Sequence, residues 1–400
     1  MKTCYIDNKI ENGIQYDYAA IEKEYRRLGV PDAFYTPPFA AIPRNKYLIS
    51  LSDRSTGKTT NWLLYGLVMN KLYGTVIQYV RATEGELAPS HAEKLVEVLR
   101  SYNSGEYIRK LTNGEFNSIY YHWKQFYYCY VDDNNMRVAV SEKPIIQCLS
   151  IDRANDYKST YNAPVGDIII LDEFIGKYYR PGEAIQFMDL TKTIIRDRQS
   201  PFIVMLANTI NLTSHYFEEM EISRDVRNMK KGEVRSVTTE KGTHIFIEIV
   251  DVNITKSKER QTVNRLFYGF KNPKLNAITG EGLYAFDSVP HIPKHTESYY
   301  VIQNNIYIET GIDLLQCEYC YDDVLQYHFE IHRANRTYDD SVILSLELKE
   351  DVRYLFGFGT KRLQGIFGRF LAERKVYFSS NEIGTVFYDY VRRYQAVKNI

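Results

Sequence analysis

The tripeptide Gly57-Lys58-Thr59 sets a flexible backbone residue, a cation and a hydroxyl in the order needed to grip a polyphosphate with its metal ion. Backbone N–H groups of such a loop curl around phosphate oxygens, the lysine reaches the terminal phosphates, and the hydroxyl is a magnesium ligand. The candidate nucleotide-binding run is therefore Ser52, Asp53, Arg54, Ser55, Thr56, Gly57, Lys58, Thr59 and Thr60. Ser52 stands where G-x-x-x-x-G-K-[ST] has its first glycine, and a plain strand-to-helix turn is the bland alternative. Arg54, inside the loop, has three readings: a phosphate contact, a pair with Glu173, or a side chain in solvent.

A second group begins at Ile168-Ile169-Ile170-Leu171-Asp172-Glu173, where four aliphatics deliver two carboxylates to a strand end. Asp172 would hold magnesium with Thr59, directly or through water, and Glu173 would polarise the attacking water. Asn208, just past the run Phe202 to Ala207, is placed to sense the γ-phosphate, or else caps a turn. Arg196 or Arg198 is a candidate arginine finger, supplied from a neighbouring subunit; a solvated helix end is the alternative.

The surrounding pattern provides elements to position these groups. Tyr47 to Leu51 reads as a strand before the loop, and Leu63, Leu67 and Leu72 mark a helix after it. Apolar runs at Thr75 to Val80, Val165 to Leu171 and Phe202 to Ala207 alternate with helical pattern, which predicts an α/β parallel sheet with helices on both faces. Residues 1–45 read as an N-terminal arm, 46–220 as the P-loop domain with a lid insertion near 84–130, and 221–285 as a basic linker. Between Ile222 and Leu275 basic residues outnumber acidic ones twelve to six. Residues 286–400 read as a smaller α+β domain ending in two helices.

Composition narrows the class. At 400 residues, 44% hydrophobic and 25% charged, the chain is of ordinary globular type, neither disordered nor membrane-spanning. Fifty basic and fifty acidic side chains cancel, so any nucleic-acid contact is a local patch; Arg109, Lys110, Lys230, Lys231 and Arg235 are the candidates. The C-terminal Lys361, Arg362, Arg392 and Arg393 could equally bind RNA or nothing. Five cysteines make no disulfide framework, and no signal segment is visible, which points to a reducing cytoplasm and no membrane. Cys317-x-x-Cys320 reads as two ordinary thiols, with half a zinc site or a redox pair as the alternative.

Loop, strand-end arginine, acidic pair and asparagine in this order resemble the terminase-like DNA packaging ATPases of tailed phages, above all the compact motors of small short-tailed phages. The matching segments are Ser52 to Thr59, Ile77-Gln78-Tyr79-Val80-Arg81, Ile170-Leu171-Asp172-Glu173-Phe174, and Ile195-Arg196-Asp197-Arg198 running into Leu206-Ala207-Asn208. The resemblance implies an ASCE-type P-loop domain using ATP and Mg2+, with Arg196 acting in trans. It also implies a homo-oligomeric ring, a pentamer, at the procapsid portal in the host cytoplasm, driving double-stranded DNA, with the portal protein and a packaging RNA as partners. The C-terminal part would correspond to an RNase H-like domain. Its opening strand Tyr300-Val301-Ile302-Gln303-Asn304-Asn305-Ile306 carries no acid, and Glu309, Asp313, Asp322 and Asp323 lack the nuclease spacing, so a vestigial docking domain is expected. Rival readings are a P-loop helicase or small-molecule kinase, the latter disfavoured by Glu173, and a nucleotide-binding structural or RNA-binding protein with a degenerate P-loop.

Overall fold

The computed structural model describes residues 14–31, 34–52, 56–101, 105–160, 166–176, 180, 182–208, 214–227, 229–251, 289–311 and 313–398. The first domain opens with α1 (Tyr18–Arg27), β1 (Tyr47–Ser52), α2 (Lys58–Tyr73) and β2 (Ile77–Arg81). It continues through α3 (Pro89–Ser101), α4 (Glu106–Leu111), β3 (Ser118–His122), β4 (Gln125–Val131), β5 (Arg137–Val140), β6 (Ile146–Ser150) and α5 (Ala154–Thr160). It closes with β7 (Ile168–Asp172), α6 (Glu183–Ile195), β8 (Phe202–Asn208), α7 (His215–Glu219), α8 (Ser223–Arg227), β9 (Val234–Thr238) and β10 (His244–Ile249).

These strands form one sheet in the order β3-β4-β6-β2-β7-β8-β1-β10-β9, with β5 paired to β4. The run from β6 to β10 is parallel throughout. Strand parity explains the unbroken apolar run of β7: Ile168 and Ile170 enter one core cluster while Ile169 and Leu171 enter the cluster on the other face. Each aliphatic side chain so buried contributes roughly 1.5–3 kcal/mol. One strand, β8, separates β7 from β1, which is the arrangement of ASCE-type P-loop domains.

The structure adds detail to the expected organisation in three places. The segment read as an N-terminal arm belongs to the first core: Ile21, Tyr25 and Leu28 are buried, and the Tyr16 hydroxyl donates to Asp167 across 2.5 Å. In the insertion expected near 84–130, β3 and β4 extend the sheet beyond β6, and the buried Val96, Leu99 and Ile108 of α3 and α4 join the same core. The first half of the expected basic linker also lies in the sheet, where β10 pairs with β1 and β9 pairs with β10. Residues 252–285 of that linker lie outside the described residues.

The second domain comprises β11 (Tyr300–Glu309), β12 (Leu314–Asp322), β13 (Gln326–Ala334), β14 (Val342–Ser345), β15 (Tyr354–Phe356), α9 (Lys361–Ala372), β16 (Val376–Phe378) and α10 (Asn381–Lys398). Its sheet runs β15-β14-β11-β12-β13-β16, an antiparallel meander extended on its first strand by two parallel strands. That is the strand order of an RNase H-like sheet, although both helices here follow β15. Phe367, Phe370, Phe387 and Tyr390 of the helices cover one face, packing on Ile308, Cys317 and Phe329.

α2 is buried nearly all round, since α1 covers the side that the sheet does not. Its close seat on β2 depends on Gly66, where an added Cβ would lie 2.5 Å from Ile77 Cγ1. We expect Gly66→Ala to destabilise the chain by about 1–3 kcal/mol, read as a lower thermal and urea midpoint; an unchanged midpoint would show that α2 shifts freely.

Candidate functional site

Parallel strands deliver their C-terminal ends to one edge, and there the structure brings Lys58, Thr59, Asp172, Glu173 and Asn208 around a single cleft of about 430 Å3. Thr56, Gly57 and Thr60 line the same cleft. Asp53, Arg54 and Ser55 lie outside the described residues.

Gly57 has φ +87°, and a Cβ there would meet Phe34 and Asn61 at 3.3 and 3.1 Å, so this position requires glycine. Ser52 does not: it is the last extended residue of β1, in register with Asn208 of β8. Its hydroxyl shares a hydrogen bond of 2.7 Å with Thr56 and receives one from the Lys58 ammonium. A side chain is therefore accommodated where the usual motif has glycine, and it spans the mouth of the loop.

The segment before β1 supports the loop from below. Tyr35 N–H donates to the Thr56 carbonyl at 3.0 Å. The Tyr35 hydroxyl donates to Glu248 of β10 at 2.6 Å, beside Ser50, and accepts from the Trp62 indole at 3.1 Å. Asn61 links the same helix turn to α1, accepting from the Tyr25 hydroxyl at 2.7 Å and donating to the Gly57 carbonyl at 2.9 Å.

Thr59 Oγ1 donates to Asp172 Oδ2 at 3.1 Å, and the Tyr79 hydroxyl donates to the same oxygen at 2.8 Å. Two oxygens about 3 Å apart suit neighbouring positions on an octahedral Mg2+ with bonds near 2.1 Å, so Thr59 and Asp172 fit the ion the motif implies. Burial pushes the Asp172 carboxyl above its ordinary range, while Arg81, Tyr79 and Thr59 pull it back.

Glu173 lies just past the strand with φ +56°, a left-handed conformation costing about 1–2 kcal/mol for a non-glycine residue. Its carboxylate is drawn aside to Arg81, Nη2 to Oε2 being 2.7 Å, and its side chain is 55% exposed. The Arg81 side chain is only 14% exposed, so the pair joins a largely buried guanidinium to a carboxylate that reaches solvent. Arg81 also lies 3.8 Å from Asp172. Sequence reasoning assigned no role in the site to Arg81 and Tyr79; an arginine closing an apolar strand, with a tyrosine two residues earlier on the same face, is the signal they left.

The finger candidates lie elsewhere. Arg198 pairs with buried Asp167 and donates to the Gly166 and Ile194 carbonyls, which gives it a structural task at the N-terminal end of β7. Arg196 caps α6 two residues before Arg198, towards the end of the sheet opposite the cleft, and does not line it. Among the nucleic-acid candidates, Lys110 is engaged by Glu106 at 2.6 Å and the Leu28 carbonyl at 3.0 Å, and Arg235 by the Asp225 carbonyl at 2.9 Å. Arg109 is exposed on α4, away from Lys230 and Lys231, which are exposed at the turn before β9. That turn meets the end of β10, where Gly232 N–H donates to Ile249, on the same sheet edge as the cleft. Arg392 pairs with Asp389, and Arg393 makes a bidentate pair with Glu218 of the first domain. Lys361 and Arg362 are exposed at the start of α9.

In the second domain Glu309 pairs with Lys349, Asp313 with Arg227 and Arg333, and Asp322 accepts from Thr296, while Asp323 is exposed. The Cys317-x-x-Cys320 spacing puts the two thiols on opposite faces of β12, which removes the redox-pair and shared half-site readings. Among the described residues no helix is long and apolar enough to cross a membrane.

Sheet order and cleft together define an ASCE-type P-loop domain followed by an RNase H-like domain. No family model and no curated protein sequence matches the chain. Among solved structures, the bacteriophage Phi-29 viral genome packaging motor assembly is similar over 90% of this chain and 99% of that one, with TM-score 0.55 and 18% identity. The Phi-28 gp11 DNA packaging motor is similar over 92% of this chain and 98% of that one, with TM-score 0.53 and 15% identity. The likeness read from the motifs is thus a likeness of fold along nearly the whole chain.

The raised Asp172 carboxyl has a consequence for stability. Its folded-state affinity for a proton exceeds the unfolded one, so the stability it contributes is full below about pH 4 and is lost as pH rises. We expect Asp172→Asn, uncharged and isosteric, to raise the apoprotein's melting temperature near neutral pH, with the gap closing towards acid. A lower melting temperature at neutral pH would contradict this.

Proposed function

We propose that this chain is the ATPase subunit of a viral DNA packaging motor, which hydrolyses ATP to move double-stranded DNA into a procapsid. The observation that carries the reading is the meeting of Lys58, Thr59, Asp172, Glu173 and Asn208 in one cleft at the edge of the sheet. Lys58 and the loop amides hold the phosphates, assisted by the positive end of α2. Thr59 and Asp172 hold Mg2+, which neutralises charge developing on the phosphate oxygens. Glu173, once off Arg81, orients and polarises water, and Asn208 donates its amide beside the γ-phosphate.

Arg196 completes the site of a neighbouring subunit. Its place at the far end of β7 supports a trans role, as does its backbone at φ +51°, ψ −125°, a sparsely populated conformation costing about 1–3 kcal/mol. The assembly is accordingly a ring, a pentamer on the pattern of the resembled motors, seated at the portal in the host cytoplasm. The second domain, without a gathered carboxylate cluster among its described residues, docks to the portal or a packaging RNA in place of cutting DNA.

Magnesium-dependent ATP hydrolysis, followed against protein concentration with and without double-stranded DNA, tests this. Turnover should rise more than linearly with concentration and respond to DNA. Glu173→Gln and Arg196→Ala should each bind nucleotide and lose turnover, and mixing them should recover part of it. Nucleotide binding without turnover in the native chain would instead establish the nucleotide-binding structural protein.

DNA grip is electrostatic and independent of sequence, with Lys230 and Lys231 the best-placed cations and Arg109 a more distant one. Replacing both lysines by alanine should lower the slope of log affinity against log salt by about 2. An unchanged slope would move the DNA track to another face.

A further inference from the structure

The face of the second sheet opposite its helices carries a compact set of metal-type donors. Cys320 of β12 lies directly across the ladder from His328 of β13, and Glu330 follows two residues on, so the three side chains share one face. All three are buried, and their donor atoms lie within 4.8 Å of one another. The segment leading into β11 crosses this face and brings His295 Nδ1 to 3.6 Å from Glu330 Oε1.

We propose that Cys320, His328, Glu330 and His295 form a zinc-type site that fastens the segment entering the second domain to its sheet. A thiolate, two imidazoles and a carboxylate are a tetrahedral zinc set, and a thiolate excludes Mg2+ and Ca2+ as the natural occupant. Ligand atoms around zinc stand roughly 3.3–3.8 Å apart, given bonds of about 2.0–2.3 Å, so small side-chain rotations close the present group onto an ion.

The surroundings are already arranged for it. His328 Nδ1 lies 2.7 Å from the Gln326 carbonyl, which fixes the tautomer and aims Nε2 into the cluster. Nε2 then faces Glu330 Oε1 at 3.0 Å, two acceptors that are compatible only with a cation between them, either a proton or a metal. The Tyr299 hydroxyl lies 3.4 Å from Cys320 Sγ and 3.3 Å from Glu330 Oε2, placed as an outer partner for both. Its ring stacks on His295 with centroids 3.6 Å apart and holds that imidazole in line. His295 and Glu318 are partly exposed on the same side, giving an ion a route from solvent.

The site is independent of the phosphate cleft and of the packaging reading. The full chain, stripped with a chelator, is titrated with Co2+. One equivalent should produce a thiolate-to-cobalt charge-transfer band with strong tetrahedral d–d absorption, both displaced by Zn2+, and Zn2+ should raise the melting temperature. Co2+ at Thr59 and Asp172 has oxygen ligands only and gives no thiolate band. Cys320→Ser should abolish the band and Cys317→Ser should keep it. His295→Ala, at a partly exposed position that leaves the sheet core intact, should weaken zinc binding by about tenfold or more. A folded native chain with no thiolate band, or a band that survives in Cys320→Ser, would overturn the site and leave a proton-linked hydrogen-bond network.

Discussion

Asp172 ends a strand buried on both faces, where a carboxylate is needed and its charge is disfavoured. Taking a lone carboxylate out of water costs several kcal/mol. The guanidinium of Arg81, 3.8 Å away, returns about 4 kcal/mol of attraction at an effective dielectric near 20, and Tyr79 and Thr59 add hydrogen bonds. Burial remains the largest influence and leaves the carboxyl raised. Thr59 and Asp172 stand where a divalent ion would offset that burial. Tyr79 and Arg81 stand two residues apart on one face of β2 because both serve this carboxylate. Glu173 is the counterpart: it shares Arg81 with Asp172 but its own side chain is more than half exposed.

The loop opposite is fixed by a different device. Ser50, Tyr35, Trp62 and Glu248 come from β1, the segment before it, α2 and β10, and they meet in one buried network beneath the loop. Burial raises the Glu248 carboxyl, while its two hydroxyl donors oppose the shift. A satisfied polar network in a low dielectric is specific, because displacing any member leaves the others unpaired. Thr56 and the first turns of α2 are thereby tied to strand β10 and to residues ahead of β1, neither of which contains any part of the motif.

That distribution explains what could be read from the sequence. β7 was legible because a strand covered on both faces is a continuous aliphatic run, and the loop because a glycine at positive φ, a lysine and a threonine are a chemical requirement. Arg81 acquires its role only when β2 lies beside β7, a pairing no local pattern encodes. β9 escaped because it is an edge strand with alternating exposed and half-exposed residues, and its basic neighbours resemble a linker. β12 escaped through its mixture of Cys, Glu and Tyr; once its pairing with β13 is known, parity separates Cys317 from Cys320 and unites the latter with His328. The N-terminal segment was misread because its contribution is tertiary, made through Tyr16, Tyr25 and Tyr35.

The seam between the domains continues the same physics. Arg393 grips Glu218, and Arg227 reaches Asp313 at 2.5 Å, all four side chains being largely buried. In such pairs desolvation offsets much of the Coulomb attraction, so they orient more than they stabilise. A seam of oil-like contacts would resist opening in proportion to its area, whereas ion pairs are replaced by water as they part. The ion pairs therefore set the register of one domain against the other. This seam adjoins α7 and α8, the helices that follow the strand ending in Asn208.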